Sequence, residues 1–499
     1  MRLAALCWGL VFALPAVVWA QNAFSPGGPD YAIAGALMGD QTFPQAAISP
    51  GGGWLVWQDN AVDNDGFGIK AQVLNSSLAK SGAAFRVNAQ GAGDQEKPQV
   101  SLLNGGGAVF VWQGGMPGFQ KIYARFMAAN GTFLTGDLLV NTYTNEFQVN
   151  PSVAALADGS VVVVWGSYGQ DGDRQGVFAQ RFSSAGAKLG GEFQVNQYTP
   201  NNQRTPTVAA LTNGNFVVTW VSELQRAAAS VDVYARIFTI SNSLPVAVGS
   251  EFPVNTSVTN LCANPQVAGS TAGGFAVVWS QNADVTSATG SPSETGTPNI
   301  PAGILTSDGW DVFGRVFNAS GAAVSAPVRL NTWTYGDQFA PKISAFGKNY
   351  LTVWISLGED GDWEGIFGQF LTSNGGLAGL EFRVNTTTVS RQIDPSVCAD
   401  GINRFLVCWS SFEAGTSFDL FARAYDLIRV DVAVSAQGVT ISWNTQPGSV
   451  YQVQSSANYF SGNSTWSNVG SPRTAVGLAD SVVLSPSGGG AFYRVVRTQ

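Results

Sequence analysis

Histidine is absent from all 499 residues. That gap removes Ser-His-Asp and Cys-His catalysis, imidazole metal ligation and the side chain that ordinarily titrates near neutrality. Charge is scarce as well. Asp, Glu, Lys and Arg make up 12% of the chain, with 33 acidic residues against 25 basic ones. No basic stripe is available to neutralise phosphates, which excludes nucleic acid as a partner. Four cysteines are too few to staple a chain of this length. Long helical stretches rich in Ala, Glu, Lys and Leu are missing, and no apolar run after residue 20 is long enough to span a membrane.

What is present is a secretory start and a β-rich body. Met1-Arg2 supplies a positive end, Leu3 to Val18 is apolar, and Val18-Trp19-Ala20 offers a small residue before Gln21. This is the layout of a signal peptide over residues 1–20, which would take Cys7 with it and place the protein outside the cytoplasm, secreted or at the cell surface. The remainder carries 59 Gly and 15 Trp with many Val, Thr and Phe residues. That profile predicts short strands and tight turns, hence an all-β protein.

An internal repeat organises the body. Trp57, Trp112, Trp165, Trp220, Trp279, Trp354 and Trp409 each follow a proline by 13 or 14 residues: Pro44, Pro98, Pro151, Pro206, Pro265, Pro341 and Pro395. Ten residues before six of these prolines stands an Asn that closes a strand: Asn88, Asn141, Asn196, Asn255, Asn331 and Asn385. Each copy holds four strand-like runs, and runs such as Val161-Val-Val-Val-Trp165 are apolar throughout, as a strand buried on both faces requires. The spacing predicts a seven-bladed β-propeller over residues 21–429. The seventh copy lacks its last strand, and Tyr31-Ala-Ile-Ala34 occupies the matching slot at the other end. That N-terminal strand is expected to pair with Asp419–Tyr425 and close the ring. A Ser/Thr/Pro/Gly-rich insertion from Asn282 to about Ser307 reads as an exposed loop. Residues 430–499 read as a small Ig-like or fibronectin-III-like β-sandwich, with Trp443 early and Tyr493-Arg-Val late.

The run Phe-x-Val-Asn, Gln-x-x-Pro-x-Val-Ala-x-Leu-x-x-Gly-x-Phe-Val-Val-x-Trp over residues 31–426 resembles repeats of bacterial secreted proteins, among them adhesin-like and RTX-type cell-surface proteins. The C-terminal domain is similar to the fibronectin-III-like modules that end many exported bacterial proteins. The resemblance implies a repeat type and an extracellular setting rather than an activity. The nonapeptide calcium repeats of RTX tails are absent here, so their calcium chemistry does not carry over.

Four sets of residues could carry chemistry. Asp63 and Asp65, Asp171 and Asp173, and Asp360 and Asp362 stand six and eight residues after their Trp, each pair followed by Gly. Alternate carboxylates on a tight loop can ligate calcium, the one cofactor the sequence admits, or can simply form the turn. Gln41, Gln95, Gln148, Gln203, Gln338 and Gln392, with Cys262 in the remaining copy, precede the prolines by three residues. Recurrence in nearly every copy points to a framework amide, and the same holds for Arg125, Arg181, Arg236, Arg315 and Arg423. Tyr143, Tyr198, Trp333 and Tyr335, with Trp363 near the Asp-bearing loop, could stack on sugar rings or pack the loops. Cys398 and Cys408 face each other across a turn, as a disulfide or as two buried thiols.

From the sequence, the leading expectation is a non-catalytic binding or scaffold protein, not an enzyme, that recognises a glycan or an extracellular protein through loops of the propeller face. A propeller glycosidase or lyase working with two carboxylates, from among Asp171, Asp173, Asp360 and Asp362, is the competing reading. A self-assembling surface subunit is the third.

Overall fold

The computed structural model describes residues 18–21, 23–62, 65–282, 309–412, 417–435, 438–457, 465–485 and 491–498. Among them the regular elements are all β-strands. Residues 1–17 of the expected signal segment and nearly all of the expected insertion lie outside the described residues, as does Asp63. The chain divides into two compact units, Pro29–Ala424 and a second formed by Met1–Gly28 with Tyr425–Gln499. The division at 424/425 falls inside the strand Asp419–Ile428, a few residues before the boundary expected at 429/430.

In the larger unit one four-strand order recurs. The first strand opens on the recurrent Gln, the second carries the anchor Trp, and the third and fourth follow antiparallel. In the third recurrence these are Gln148–Ala155, Val161–Tyr168, Gln175–Phe182 and Phe193–Gln194. We number these modules from 1, starting at Gln41–Ser49. Modules 4 and 5 are joined by a single parallel pairing, Val231 with Leu261. In module 7 the fourth strand comes from the beginning of the chain: Tyr31 and Ala32 pair with Ala422 and Phe421. First strands of successive modules pack on one another in order, and Gln392–Ala399 of module 7 packs on Gln41–Ser49 of module 1.

Every first strand contains the same irregularity. The residue before each proline has a positive φ, between 51° and 55°, at Phe43, Lys97, Asn150, Thr205, Asn264, Ala340 and Asp394. The register against the second strand shifts at the same point each time, as at Val149/Ser152 and Phe339/Lys342. This is a β-bulge, where proline's missing N–H costs no ladder bond and the residue before it bears the strain.

Alternation along the second strands explains their unbroken apolar runs. Val161, Val163 and Trp165 belong to a core shared with module 2, whereas Val162 and Val164 belong to a core shared with module 4. Period-2 side chains on a strand with neighbours on both faces give this pattern. The anchor tryptophans are at most 1% exposed, and each of the first six faces the preceding module.

The smaller unit has two sheets. Val430–Ser435, Gly438–Asn444 and Ala479–Leu484 form one; Val18–Gln21, Val450–Ser456, Ser467–Thr474 and Ala491–Arg497 form the other. Ile441 and Trp443 of the first share a core with Tyr451, Val453 and Val495 of the second. The strand Val18–Gln21 runs parallel to Ala491–Arg494, so the expected cleavage after Ala20 cuts through it.

Cys398 and Cys408 are not cross-strand partners. Register places Cys408 opposite Ser396 and Cys398 opposite Leu406, and both thiols are free, as is Cys262. Cys408 packs as a hydrophobe in the core between modules 7 and 1. Burial pushes its thiol up to about 12, and burial raises the other two as well. A thiol reagent at pH 8 is therefore expected to leave the buried Cys262 and Cys408 unmodified in the folded protein and to label them after denaturation; rapid labelling of these two in the native protein would contradict the packing.

Candidate active site

Six of the seven junctions between modules are built around one buried amide; Ala34 stands at that position in the seventh. The side-chain oxygens of Asn88, Asn141, Asn196, Asn255, Asn331 and Asn385 accept a third-strand N–H at 2.7–2.9 Å. Their Nδ2 atoms donate to the carbonyl two residues on, at 2.6–2.8 Å. At five of the six, Nδ2 also donates to Oε1 of the recurrent Gln that opens the next module, at 2.7–3.3 Å. Cys262 stands where the remaining Gln would be. Four recurrent arginines staple the same junctions. Arg125, Arg236, Arg315 and Arg423 donate to the carbonyls of Val87, Val195, Val254 and Val384, each the residue before a closing Asn.

A carboxylate four residues before the closing Asn reaches back to the preceding junction. Asp137, Glu192, Glu251 and Glu381 accept the backbone N–H of Ala89, Thr142, Gln197 and Thr332. Asp30, from the beginning of the chain, accepts that of Thr386 at 2.7 Å and so completes module 7 in the same way. Charge-assisted bonds of this kind fix loop position more than they add stability when exposed.

The second loop supplies the partner of this acid. Five residues after the anchor Trp, module 3 has Gln170, whose Nε2 donates to Glu192. Module 4 has Gln225, which accepts from Ser222 at 2.7 Å and donates to Glu251 Oε1 at 2.7 Å. Module 6 breaks the pattern, because Glu359 stands in that place. It keeps the serine bond, Ser356 Oγ donating to its Oε2 at 2.7 Å, but it has no amide to offer Glu381. Glu381 Oε2 takes the N–H groups of Thr332 and Trp333 and the Thr332 hydroxyl, while its Oε1 is buried without a hydrogen-bond partner. Burial, then the charges of Glu381 and Asp360, raise the Glu359 carboxyl to about 7, against the lowering bond from Ser356. Here a carboxyl O–H replaces an amide N–H, so the position holds a titratable proton near neutrality.

Asp360 is adjacent. Its Oδ2 accepts from Asn385 Nδ2 at 3.1 Å, its Oδ1 is buried without a partner, and burial raises its pKa. Gly365 leaves room for it, since a Cβ there would stand 2.5 Å from Asp360 Oδ2 and displace the carboxylate. Trp333 and Tyr335 lie on the loop that Glu381 clamps, with ring centroids 5.5 Å apart. The Trp333 indole N–H has no partner either. Trp363 follows on the Glu359 loop, partly exposed, with the Arg391 guanidinium 5.9 Å from its ring centroid.

The other sequence-predicted residues are used differently. Asp65, Asp173 and Asp362 accept the backbone N–H of Gly93, Asn201 and Ser390 at 3.0, 2.7 and 2.8 Å. Asp171 Oδ2 faces the amides of Asn196 and Gln194, and burial raises its pKa. These bonds tie each loop to the loop that leads into the next module, and no group of three or more candidate metal-ligating side chains meets among the described residues. Asp171 and Asp173 sit on a loop of module 3, Asp360 and Asp362 on the equivalent loop of module 6. Tyr198 donates its hydroxyl to Leu224 O at 3.3 Å and so braces a neighbouring loop, while the Tyr143 hydroxyl would stand 3.6 Å from a Cβ on Gly169. Glu359 and Glu381 escaped the sequence reading. The signal for Glu381 was there, as an acid recurring four residues before Asn; that for Glu359 was weak, since only two modules carry Gln at its position.

No family model matches this chain, and no curated protein does. Solved structures do. A protein of unknown function from Dyadobacter fermentans is 10% identical, over 80% of this chain and 98% of that one, with a TM-score of 0.46. An α-L-arabinofuranosidase from Fusarium graminearum is 13% identical, over 66% of this chain and 92% of its own, with a TM-score of 0.44. Polysaccharide lyase Uly1 is 10% identical over 82% and 97%, also with a TM-score of 0.44. The likeness is one of fold. It nonetheless corrects one expectation: the similar structures of known activity are glycoside hydrolases and a lyase, so the non-catalytic binding or scaffold reading, and with it the assignment as no enzyme, is withdrawn.

Glu359→Gln restores the residue that modules 3 and 4 carry. A carboxyl with its folded pKa raised favours the folded state fully below its unfolded value of about 4.5 and loses that contribution as pH rises through about 7. The variant should therefore match the parent near pH 4–5 and be the more stable above pH 8, by up to about 2 kcal/mol once solvent screening at this part-exposed group is allowed for. Thermal melts across that range check it; equal melting points at pH 8 and above would remove the buried-proton account.

Proposed function

We propose that this chain is an exported, carbohydrate-active enzyme, a glycoside hydrolase built on a seven-bladed β-propeller with a small C-terminal β-sandwich. The observation that carries the activity is Glu359, a carboxyl held near a pKa of about 7 where two sister modules hold a neutral amide. The recurring four-strand order and the cyclic packing of the first strands support the propeller. The two sheets of the smaller unit, sharing one core, support the sandwich.

A glycosidase needs one carboxyl that is protonated and one that is ionised at working pH. In this reading Glu359 gives its proton to the glycosidic oxygen as the bond to the anomeric carbon breaks. Asp360 is the ionised partner, taking the proton of the water that adds to that carbon. Glu381 is a positioning residue, because its charge keeps the proton on Glu359 and its other oxygen fixes the Thr332–Trp333 loop. Trp333, Tyr335 and Trp363 give flat apolar faces for sugar rings. The absence of histidine is no obstacle, since two carboxyl groups complete the proton cycle.

The test is product release from a panel of neutral and acidic polysaccharides, read both as new reducing ends and as unsaturated uronate. The expected result is reducing ends without unsaturation. Glu359→Gln should lower kcat by at least about 100-fold, the contribution typical of a general acid, while folding normally. Trp333→Ala should act mainly on KM. Unsaturated product would make the chain a lyase, and an active Glu359→Gln variant would remove Glu359 from the chemistry.

A further inference from the structure

The smaller unit carries a polar cluster on the outer face of one sheet. Val453 and Val495, on neighbouring strands, lie in its core, and Val469 on the third packs against that core. Period-2 alternation turns the residues beside them outward. Gln454 stands directly opposite Arg494 on one side and Asn468 on the other. Their side chains are joined: Arg494 Nε donates to Gln454 Oε1 at 2.8 Å, and Gln454 Nε2 donates to Asn468 Oδ1 at 2.9 Å. Trp466, just before the strand Ser467–Thr474, stacks with the guanidinium, whose carbon is 4.4 Å from the ring centroid. Asn468 is exposed, and Gln454, Trp466 and Arg494 are partly so.

Arg494 differs from other arginines of this unit. Arg473 makes a two-pronged pair with Asp480, and Arg497 pairs with Asp426 at 3.0 Å. Among the described residues Arg494 meets a neutral amide and a ring, and its Nη1 and Nη2 groups have no hydrogen-bond acceptor. Burial lowers its pKa, and no carboxylate offsets that cost. Ordering a long side chain loses rotamer freedom, and a hydrogen bond to a neutral amide returns little of it. What the arrangement produces is a fork of donors held flat against an indole. Such a fork pairs parallel N–H groups with both oxygens of a carboxylate. In a chain of net charge −8, this cluster carries a positive charge and no negative one.

We propose that this face of the smaller unit is a non-catalytic site for a uronate-bearing polysaccharide, with the sugar carboxylate on Arg494, hydroxyls on Gln454 and Asn468, and the sugar ring beside Trp466. It belongs to a different unit from the Glu359 cluster. The choice of a sugar over an acidic peptide rests on the proposed carbohydrate activity of the chain. The two amides favour the same choice, because they set donors and acceptors side by side as hydroxyl groups require. A neutral polysaccharide would leave the guanidinium without its acceptor.

The experiment measures binding by the full chain carrying Glu359→Gln, so that polymer is not consumed, using affinity electrophoresis and calorimetry. Physiological ionic strength screens long-range attraction. The probes are polygalacturonate and alginate as uronate polymers, a neutral β-glucan, dextran sulfate and polyglutamate. The expected result is saturable binding of at least one uronate polymer, weakened at least about tenfold by Arg494→Lys, which keeps the charge but loses the fork. Trp466→Ala should weaken it too, while Arg494→Lys leaves the melting temperature unchanged. No saturable binding of either uronate polymer, binding equally tight in Arg494→Lys, or a preference for the glucan, dextran sulfate or polyglutamate would overturn the proposal. The two readings fail separately. Polysaccharide hydrolysis by the parent chain without Arg494-dependent binding would remove this site alone. Arg494-dependent binding by a chain that hydrolyses nothing would remove the Glu359 chemistry alone.

Discussion

The larger unit depends on the amide of the closing asparagine. Its oxygen is taken by the third strand of its own module. Its nitrogen is shared between the turn that follows and the glutamine that opens the next module. One side chain thus satisfies a strand, a loop and a junction at once, in a place too buried for water to do so. Aspartate would lose the donors and leucine would lose everything, and each unmet group would cost about 1–3 kcal/mol. The junction carboxylates and arginines reach the positions they do because this amide has already fixed the chain on either side. Hydrophobic burial between modules supplies the bulk of the stability, but it is non-directional. The amide network sets the register at which those faces meet.

That division of labour explains what the sequence could reveal. Tryptophan, proline, asparagine and glutamine recur at fixed spacing because each junction needs the same atoms in the same places, so the modules were readable from spacing alone. The strand supplied from residues 31–32 was readable for the same reason: a missing piece at one end matched a surplus piece at the other. The division between the units had no mark in the sequence, since it falls inside the continuous strand Asp419–Ile428. The left-handed residue before each proline was not readable. No residue type marks it, since phenylalanine, lysine, asparagine, threonine, alanine and aspartate all adopt it.

The site was harder to see than the framework. The aspartate pairs have the spacing of ligands, yet three of their members serve as acceptors for backbone N–H groups. Tyr198 reads as an exposed ring in the sequence, yet its hydroxyl braces a loop. The aromatic residues of module 6, by contrast, stand beside a carboxyl whose proton is displaced from its ordinary range. What separates the two cases is the neighbour and not the ring. Sequence alone lists aromatics and acids; only the fold shows which acid has lost its hydrogen-bond donor.

A repetitive scaffold makes such a loss conspicuous. Gln170 and Gln225 show what two of the modules place there: a neutral group that donates to the junction carboxylate and adds no charge. Glu359 fits the same space and retains the same serine bond, so shape cannot account for the change. It brings a second acid against Glu381 in a half-buried loop, which is unfavourable whenever both are ionised. A substitution that keeps geometry, weakens the folded state above neutral pH and creates one transferable proton gains nothing for the framework. Locally unfavourable chemistry on an otherwise consistent scaffold is where function is to be sought. In this molecule such chemistry sits in the loop between Ser356 and Trp363.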